Sequence, residues 1–266
     1  MNTISGVVDW LSDGAHWRGS DGVIIRTIEH VELSAIALGV VLLIALPIAM
    51  WLGHIKKGGF LAVNVSNVGR AVPTFAVLTL LALTSLGVSN RSVILALVLF
   101  GIPPVMTNAY VGIREVDQQA VEAARGMGMT GMQQLRRVEL PLAVPLVLNG
   151  IRLAAVQIVA TMTIAALVSG PGLGRIIQEG FATQNKPELE AGALLVVILA
   201  LLVEGGFAWL QRVVDPVRRA HRGDQTAPPA PALVGSASVV GGDGQICSET
   251  GSRRLKSRWP GRVRRQ

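Results

Sequence analysis

Cysteine occurs once in the 266 residues, at Cys247, so neither an internal disulfide nor a cysteine metal cluster is available. Charged residues are scarce at 15% and aromatics scarcer at 4%, while half the chain is hydrophobic. That balance belongs to an integral membrane protein and not to a soluble one. No Gly-Lys pair occurs anywhere, which excludes a phosphate-binding P-loop and ATP hydrolysis by that route. The metalloprotease H-E-x-x-H, the nucleophile elbow G-x-S-x-G and Cys/His ligand spacings are missing as well. His16, His30, His54 and His221 are scattered and read as interfacial or solvated, so no catalytic residues and no metal ligands are assigned. A formal charge of +7 could suit nucleic acid, but the basic residues do not gather on one amphipathic face with interleaved aromatics. The first residues have neither a basic region nor a long apolar stretch, so they are not read as a secretory signal.

What the chain does have is apolar runs of membrane length. At 1.5 Å per residue, about 20 apolar residues cross a hydrocarbon core of roughly 30 Å. Five such spans are expected, near residues 31–52, 60–86, 92–111, 141–168 and 190–210. Pro73 is expected to bend the second, and Gly101, Pro103 and Pro104 to interrupt the third. Arg175 to Phe181 reads as a re-entrant or surface helix. Residues 1–28 form an extracytoplasmic or interfacial segment, 29–214 the membrane domain, and 215–266 a basic, disordered cytoplasmic tail rich in Pro, Ala, Gly, Ser and Arg. Lys56, Lys57, Arg114, Arg125, Arg136, Arg137, Arg212, Arg218, Arg219 and Arg222 fall on one side of an alternating five-span arrangement. The positive-inside rule makes that side cytoplasmic, with the N-terminus outside and the C-terminus inside. Trp51, Tyr110, Phe207 and Trp209 then occupy the level of an interfacial aromatic belt.

Between the third and fourth spans lies a polar interruption, Glu122 to Pro141. Asp117 is placed to cap a short helix through Ala124, and Gly126 and Gly128 supply left-handed backbone angles that stop it. Thr130-x-x-Gln133 reads as a capping box opening a second short helix with Met132, Leu135 and Val138 on one face. Two such helices are too short to be stable alone in water, so they pack on something. Periodicity does not decide between a groove on a partner protein and a fold back onto the chain's own bundle.

The order Glu122-Ala123-Ala124, Gly128 and Val138-x-Leu140-Pro141 resembles the EAA signature of the membrane subunits of binding-protein-dependent ABC importers. The resemblance implies an all-α polytopic membrane protein whose cytoplasmic coupling helices dock on an ATPase through Glu122, Ala123, Ala124, Gly128, Leu135, Val138, Leu140 and Pro141. Val138-Glu-Leu-Pro-Leu-Ala143, Gly150-Ile-Arg152 and Ser169-Gly-Pro-Gly-Leu-Gly174 are similar to permeases of osmoprotectant importers for quaternary amines such as glycine betaine, carnitine and choline. Ala71-Val-Pro-Thr-Phe75 and Gly101-Ile-Pro-Pro104 fit the same group. The likeness implies a non-catalytic permease in a bacterial-type cytoplasmic membrane. It implies as partners a P-loop ATPase subunit carrying ATP and magnesium, a second permease copy or paralogue, an extracytoplasmic solute-binding protein and membrane lipid, with no cofactor in this chain. An importer of another small polar solute and a gradient-driven secondary transporter are the alternatives; a non-transporting scaffold would carry no flux.

Polar groups inside spans mark either a translocation path or helix-to-helix hydrogen bonds. Asn108, Asn149, Arg152, Gln157, Thr161 and Thr163 are the candidates, with Arg70 and Glu204 as further ionisable residues within apolar sequence. For Arg152 the competing reading is a structural bond to helix-end carbonyls. For the threonines it is interhelical bonding.

Overall fold

An unpaired backbone amide in hydrocarbon costs several kcal/mol, which restricts an open chain in lipid to helices. A computed structural model of the chain, which describes residues 3–57, 59, 64, 72–168 and 170–214, is helical throughout and contains no strand among them. The helices are α1 Thr3–Ser12, α2 Val23–His54, α3 Thr74–Ala82, α4 Asn90–Arg114, α5 Gln118–Gly126, α6 Gly131–Gln134, α7 Leu140–Ala165, α8 Gly174–Ala182 and α9 Lys186–Val214. A 3-10 turn, Gly14–Trp17, follows α1, a π-turn, Leu135–Glu139, joins α6 to α7, and a second 3-10 turn, Ala166–Val168, ends α7.

Four helical stretches among the described residues are long and apolar enough to cross a membrane: α2 with 32 residues, α4 with 25, the continuous run Gly131–Val168 with 38, and α9 with 29. Of the span expected over residues 60–86, residues 64 and 72–86 are described, and α3 is entered through Pro73 in an extended conformation. Ser66, Asn67 and Arg70 lie outside the described residues, as do Ser169 and the whole of 215–266.

Several boundaries differ from expectation for physical reasons. Helix α2 begins at Val23 and not Val31, because the charges in its first turns are paired: Arg26 Nη1 donates to Glu29 Oε2 at 3.0 Å and Arg26 Nη2 donates to Asp21 Oδ1. Helix α4 runs unbroken through Gly101, Pro103 and Pro104. Pro104 has no amide to offer the carbonyl of Phe100, and Gln157 Nε2 of α7 donates to that oxygen at 3.2 Å. Tyr110 is not part of an interfacial belt. It is buried in the core, its hydroxyl accepting from Arg114 Nη1 at 3.1 Å, whereas Trp51 and Trp209 are exposed.

Lipid gives helices no hydrophobic reason to associate, so small residues that allow close packing decide where they meet. Helices α2, α4 and α7 cross on Ala37, Ala45, Ala96, Ala109, Ala143 and Ala154, all buried. A Cβ at Gly101 would lie 2.8 Å from Val41 Cγ2 and 2.9 Å from Ile158 Cδ1. At Gly150 it would lie 2.7 Å from Asn108 Cβ and 3.0 Å from the Pro104 carbonyl oxygen. At one end of this three-helix core, Trp10, Val23, Leu173, Ile176 and Ala191 bring α1, α8 and α9 together. At the other end, Ala49, Met106, Tyr110, Ile113, Val121 and Ala143 form the floor on which α5 and the π-turn sit.

Replacing Gly150 by Val is expected to separate α4 from α7 and to destabilise the chain by about 1–3 kcal/mol, the usual cost of overpacking. Unfolding in mixed micelles would show the loss, and unchanged stability would mean that the two helices do not meet at Gly150.

Candidate functional site: the two-helix segment between α4 and α7

Asp117 ends the descent from α4 and caps α5, its Oδ1 accepting from the Gln119 amide at 2.9 Å. Helix α5 includes Gly126 as its last residue, so the turn does not begin there. The stop is made by Gly128, whose φ is +80°. The amide of Met129 reaches back to the Ala124 carbonyl at 3.2 Å and that of Gly128 to Arg125 at 3.0 Å, the paired bonds of a Schellman turn. No atom lies within 4 Å of where a Cβ on Gly128 would be, so glycine is required there by backbone angle and not by space.

The second short helix opens on a complete capping box. Thr130 Oγ1 accepts from the Gln133 amide at 3.4 Å, and the Thr130 amide donates to Gln133 Oε1 at 2.9 Å. This helix does not stop before Pro141. Leu135–Glu139 is a π-turn, closed by the Leu140 amide on the Leu135 carbonyl, and the chain passes through it directly into α7. Proline at 141 supplies no amide and its ring crowds the carbonyl four residues back, and the wider turn accommodates both. The second short helix and the membrane helix are therefore one continuous rod that carries a π-turn between them.

Burial divides the segment into two faces. Val121, Ala124, Gln134 and Glu139 are buried, and Leu135 and Leu140 pack on the floor formed by α2, α4 and α7. Gln134 Nε2 donates to the Met129 carbonyl at 2.8 Å, which ties the bend to the second helix. Glu122, Ala123, Arg125, Arg136, Arg137 and Pro141 are exposed, as are Met127 and Met132 at 70% and 52%. Of the residues assigned to ATPase coupling, Glu122, Ala123, Gly128 and Pro141 lie on the open face. Ala124 and, more partially, Leu135, Val138 and Leu140 face inward and anchor the segment. The sequence reading had not marked Gln134 and Glu139, whose burial depends on contacts that periodicity does not register.

Three of the polar residues proposed for a path are held in side-chain pairs. Asn149 Nδ2 donates to Asn108 Oδ1 at 3.2 Å, and Asn108 Nδ2 to the Pro104 carbonyl at 2.8 Å, so these two join α4 to α7. Arg152 pairs with Glu204 of α9. Gln157 is exposed, on a stripe of α7 with Leu142, Leu146 and Leu153 that no described element covers. Thr161 is buried, and the Thr163 hydroxyl is buried without a hydrogen-bond partner.

Membrane-length helices around a small-residue core, carrying a two-helix projection with an exposed face, define a multi-pass membrane component. Residues 43–220 match the family model described as the binding-protein-dependent transport system inner membrane component, and the chain belongs to that family. Members of this family are the non-catalytic membrane components of ABC importers. Over 194 residues it is 32% identical to the glycine betaine/carnitine/choline transport system permease protein OpuCB of Bacillus subtilis (strain 168), covering 73% of this chain and 89% of that one. It is 34% identical over 190 residues to the osmoprotectant import permease protein OsmY of Salmonella typhimurium, covering 71% and 80%. The fold is similar to that of an inward-facing MetNI methionine ABC transporter chain, with a TM-score of 0.64 at 23% identity, covering 72% of this chain and 95% of the other.

Thr130→Ala removes one half of the capping box and is expected to cost about 1 kcal/mol locally. Amide exchange should accelerate across residues 131–134 while the inserted amount of protein stays constant; unchanged exchange would show that the cap does not hold α6.

Proposed function

We propose that this chain is the permease subunit of an ABC importer for quaternary-amine osmoprotectants, and that its two-helix segment receives the mechanical output of a separate ATPase. The observation that carries the coupling reading is the continuity of Gly131–Val168 together with the exposed face of Glu122, Ala123, Met127 and Met132. A partner that closes on that face moves a lever already fused to a membrane helix. Methionine side chains adapt to an irregular groove, and small neighbours let backbones approach. The Schellman turn at Gly128 keeps the two short helices at a fixed angle, so that force on one is carried to the other.

The partners on this reading are a P-loop ATPase binding ATP and magnesium, an extracytoplasmic binding protein and a second permease copy or paralogue. The uncovered stripe of α7 suits the second permease, with Gln157 as its polar member. The segment then lies in the cytoplasm, in agreement with the distribution of Lys and Arg. Glycine betaine, carnitine and choline are the proposed solutes, supported by the similarity to permeases named for them. Quaternary ammonium ligands are held by aromatic cages, and with aromatics at only 4% this chain is suited to passage rather than tight selection. Recognition therefore falls to the binding protein.

Gly128→Val places a β-branched residue at φ +80° and should distort the bend without collision. The assembled complex is expected to insert normally and to lose the ATP hydrolysis that a loaded binding protein stimulates. Full stimulation in that variant would remove the coupling assignment. The solute class is tested by uptake and competition: labelled glycine betaine should be taken up with ATP and unlabelled carnitine and choline should reduce that uptake, whereas no ATP-dependent uptake of labelled glycine betaine, carnitine or choline points to another small polar solute.

A further inference from the structure

The end of α2 and the residues just past it touch the first residue of α5, the first residue of α6 and the π-turn. His54 Nδ1 donates to Glu139 Oε2 at 2.7 Å, across 85 residues of sequence. The Glu139 side chain is 5% exposed, so its carboxylate depends on this partner in place of water. The other edge of the imidazole lies against α6, since a Cβ on Gly131 would stand 3.2 Å from His54 Nε2. Two residues on, Lys56 turns with φ +53° and donates to Gln118 Oε1, the first residue of α5. One residue before His54, Gly53 abuts Ile113 at the end of α4, where a Cβ would meet Ile113 Cβ at 2.8 Å.

Glu139 closes the π-turn, the one irregularity in the rod from Gly131 to α7. A π-turn is a natural place for a helix to bend. Left free, it would let the segment swing while α7 stayed still. We infer that His54 and Glu139 form a clasp that braces this turn against α2, so that displacement of the two-helix segment moves α2 and α7 together. The inference rests on the coupling reading above. A short hydrogen bond to a buried carboxylate is directional and fixes the register of the turn, whereas an apolar contact at the same place could slide. Lys56, two residues past the end of α2, holds the first short helix through Gln118, and His54 and Glu139 act as positioning residues.

The test uses the assembled complex of permease, ATPase and binding protein in vesicles, with labelled glycine betaine, or the solute identified by competition, as probe. Solute carried per ATP hydrolysed is read in wild type, E139Q, H54N and the exchanged pair H54E/E139H. E139Q is expected to hydrolyse ATP yet carry on the order of tenfold less solute per ATP, the scale of a typical coupling between sites. The exchanged pair is expected to recover the ratio. A purely structural role would lower transport and hydrolysis in parallel with the amount of complex and leave the ratio unchanged. An unchanged ratio in E139Q overturns the clasp, as does an exchanged pair that stays uncoupled. Failure of both E139Q and H54N to assemble also overturns it, because the pair would then hold the fold and not carry motion. G128V in parallel separates the two readings. Full stimulation there removes coupling through the segment, while lost stimulation there with a normal ratio in E139Q removes the clasp alone.

Discussion

Close approach of α2, α4 and α7 is the constraint on which the remaining structure depends. In a bilayer these helices have no water to escape, and their association comes from backbone proximity at alanine and glycine and from a few interhelical hydrogen bonds. Gly101 and Gly150 bring α4 within contact of α2 and α7, and that proximity lets Gln157 reach the Phe100 carbonyl and Asn149 reach Asn108. With the three helices fixed, their shared end becomes a floor of defined shape, against which Val121, Leu135 and Leu140 can be buried. The two-helix segment takes its position from that floor.

A position taken from that floor explains how so small a segment could act on a bundle of membrane length. Its two short helices are each below the length at which an isolated helix persists in water. Local devices hold their angles: the Asp117 cap, the Schellman turn at Gly128 and the Thr130 capping box. Tertiary contacts hold their position. Beyond the π-turn the same rod continues as α7, so no flexible linker intervenes between the exposed face and the membrane interior.

Local chemistry made much of this legible in the sequence. Caps act over two or three residues, so the local parts of Asp117, Gly128, Thr130 and Gln133 are legible from spacing, and the family is legible from its signature. Gly126 did not behave as a second breaker, because one left-handed residue suffices for the turn. The continuity through Pro141 was hidden. A proline beside a polar stretch looks like a helix start, and the π-turn that carries the chain past it is visible only in the backbone. His54 was hidden for a different reason. Its partner is 85 residues away, and a histidine at the end of an apolar run has the same local appearance whether it is solvated or bound to a buried acid. Gln157 likewise looked like a path residue, although it also supplies the donor that Pro104 withholds.

Helix α9 stands apart from this economy of close contact. Ala191 and Gly192, near its beginning, are its buried residues, and its large side chains from Leu194 to Val214 face outward or are half-buried. Farther along, its polar attachments are the Arg152–Glu204 pair and the bond from Gln211 Nε2 to the Pro145 carbonyl at 3.2 Å. A long apolar helix secured tightly at one end and by polar ties along the rest takes its tilt from whatever surrounds it. The thickness of the hydrocarbon layer sets how far it must lean to match. For this helix the bilayer acts as a structural neighbour, and a change of lipid chain length is equivalent to a change of packing partner.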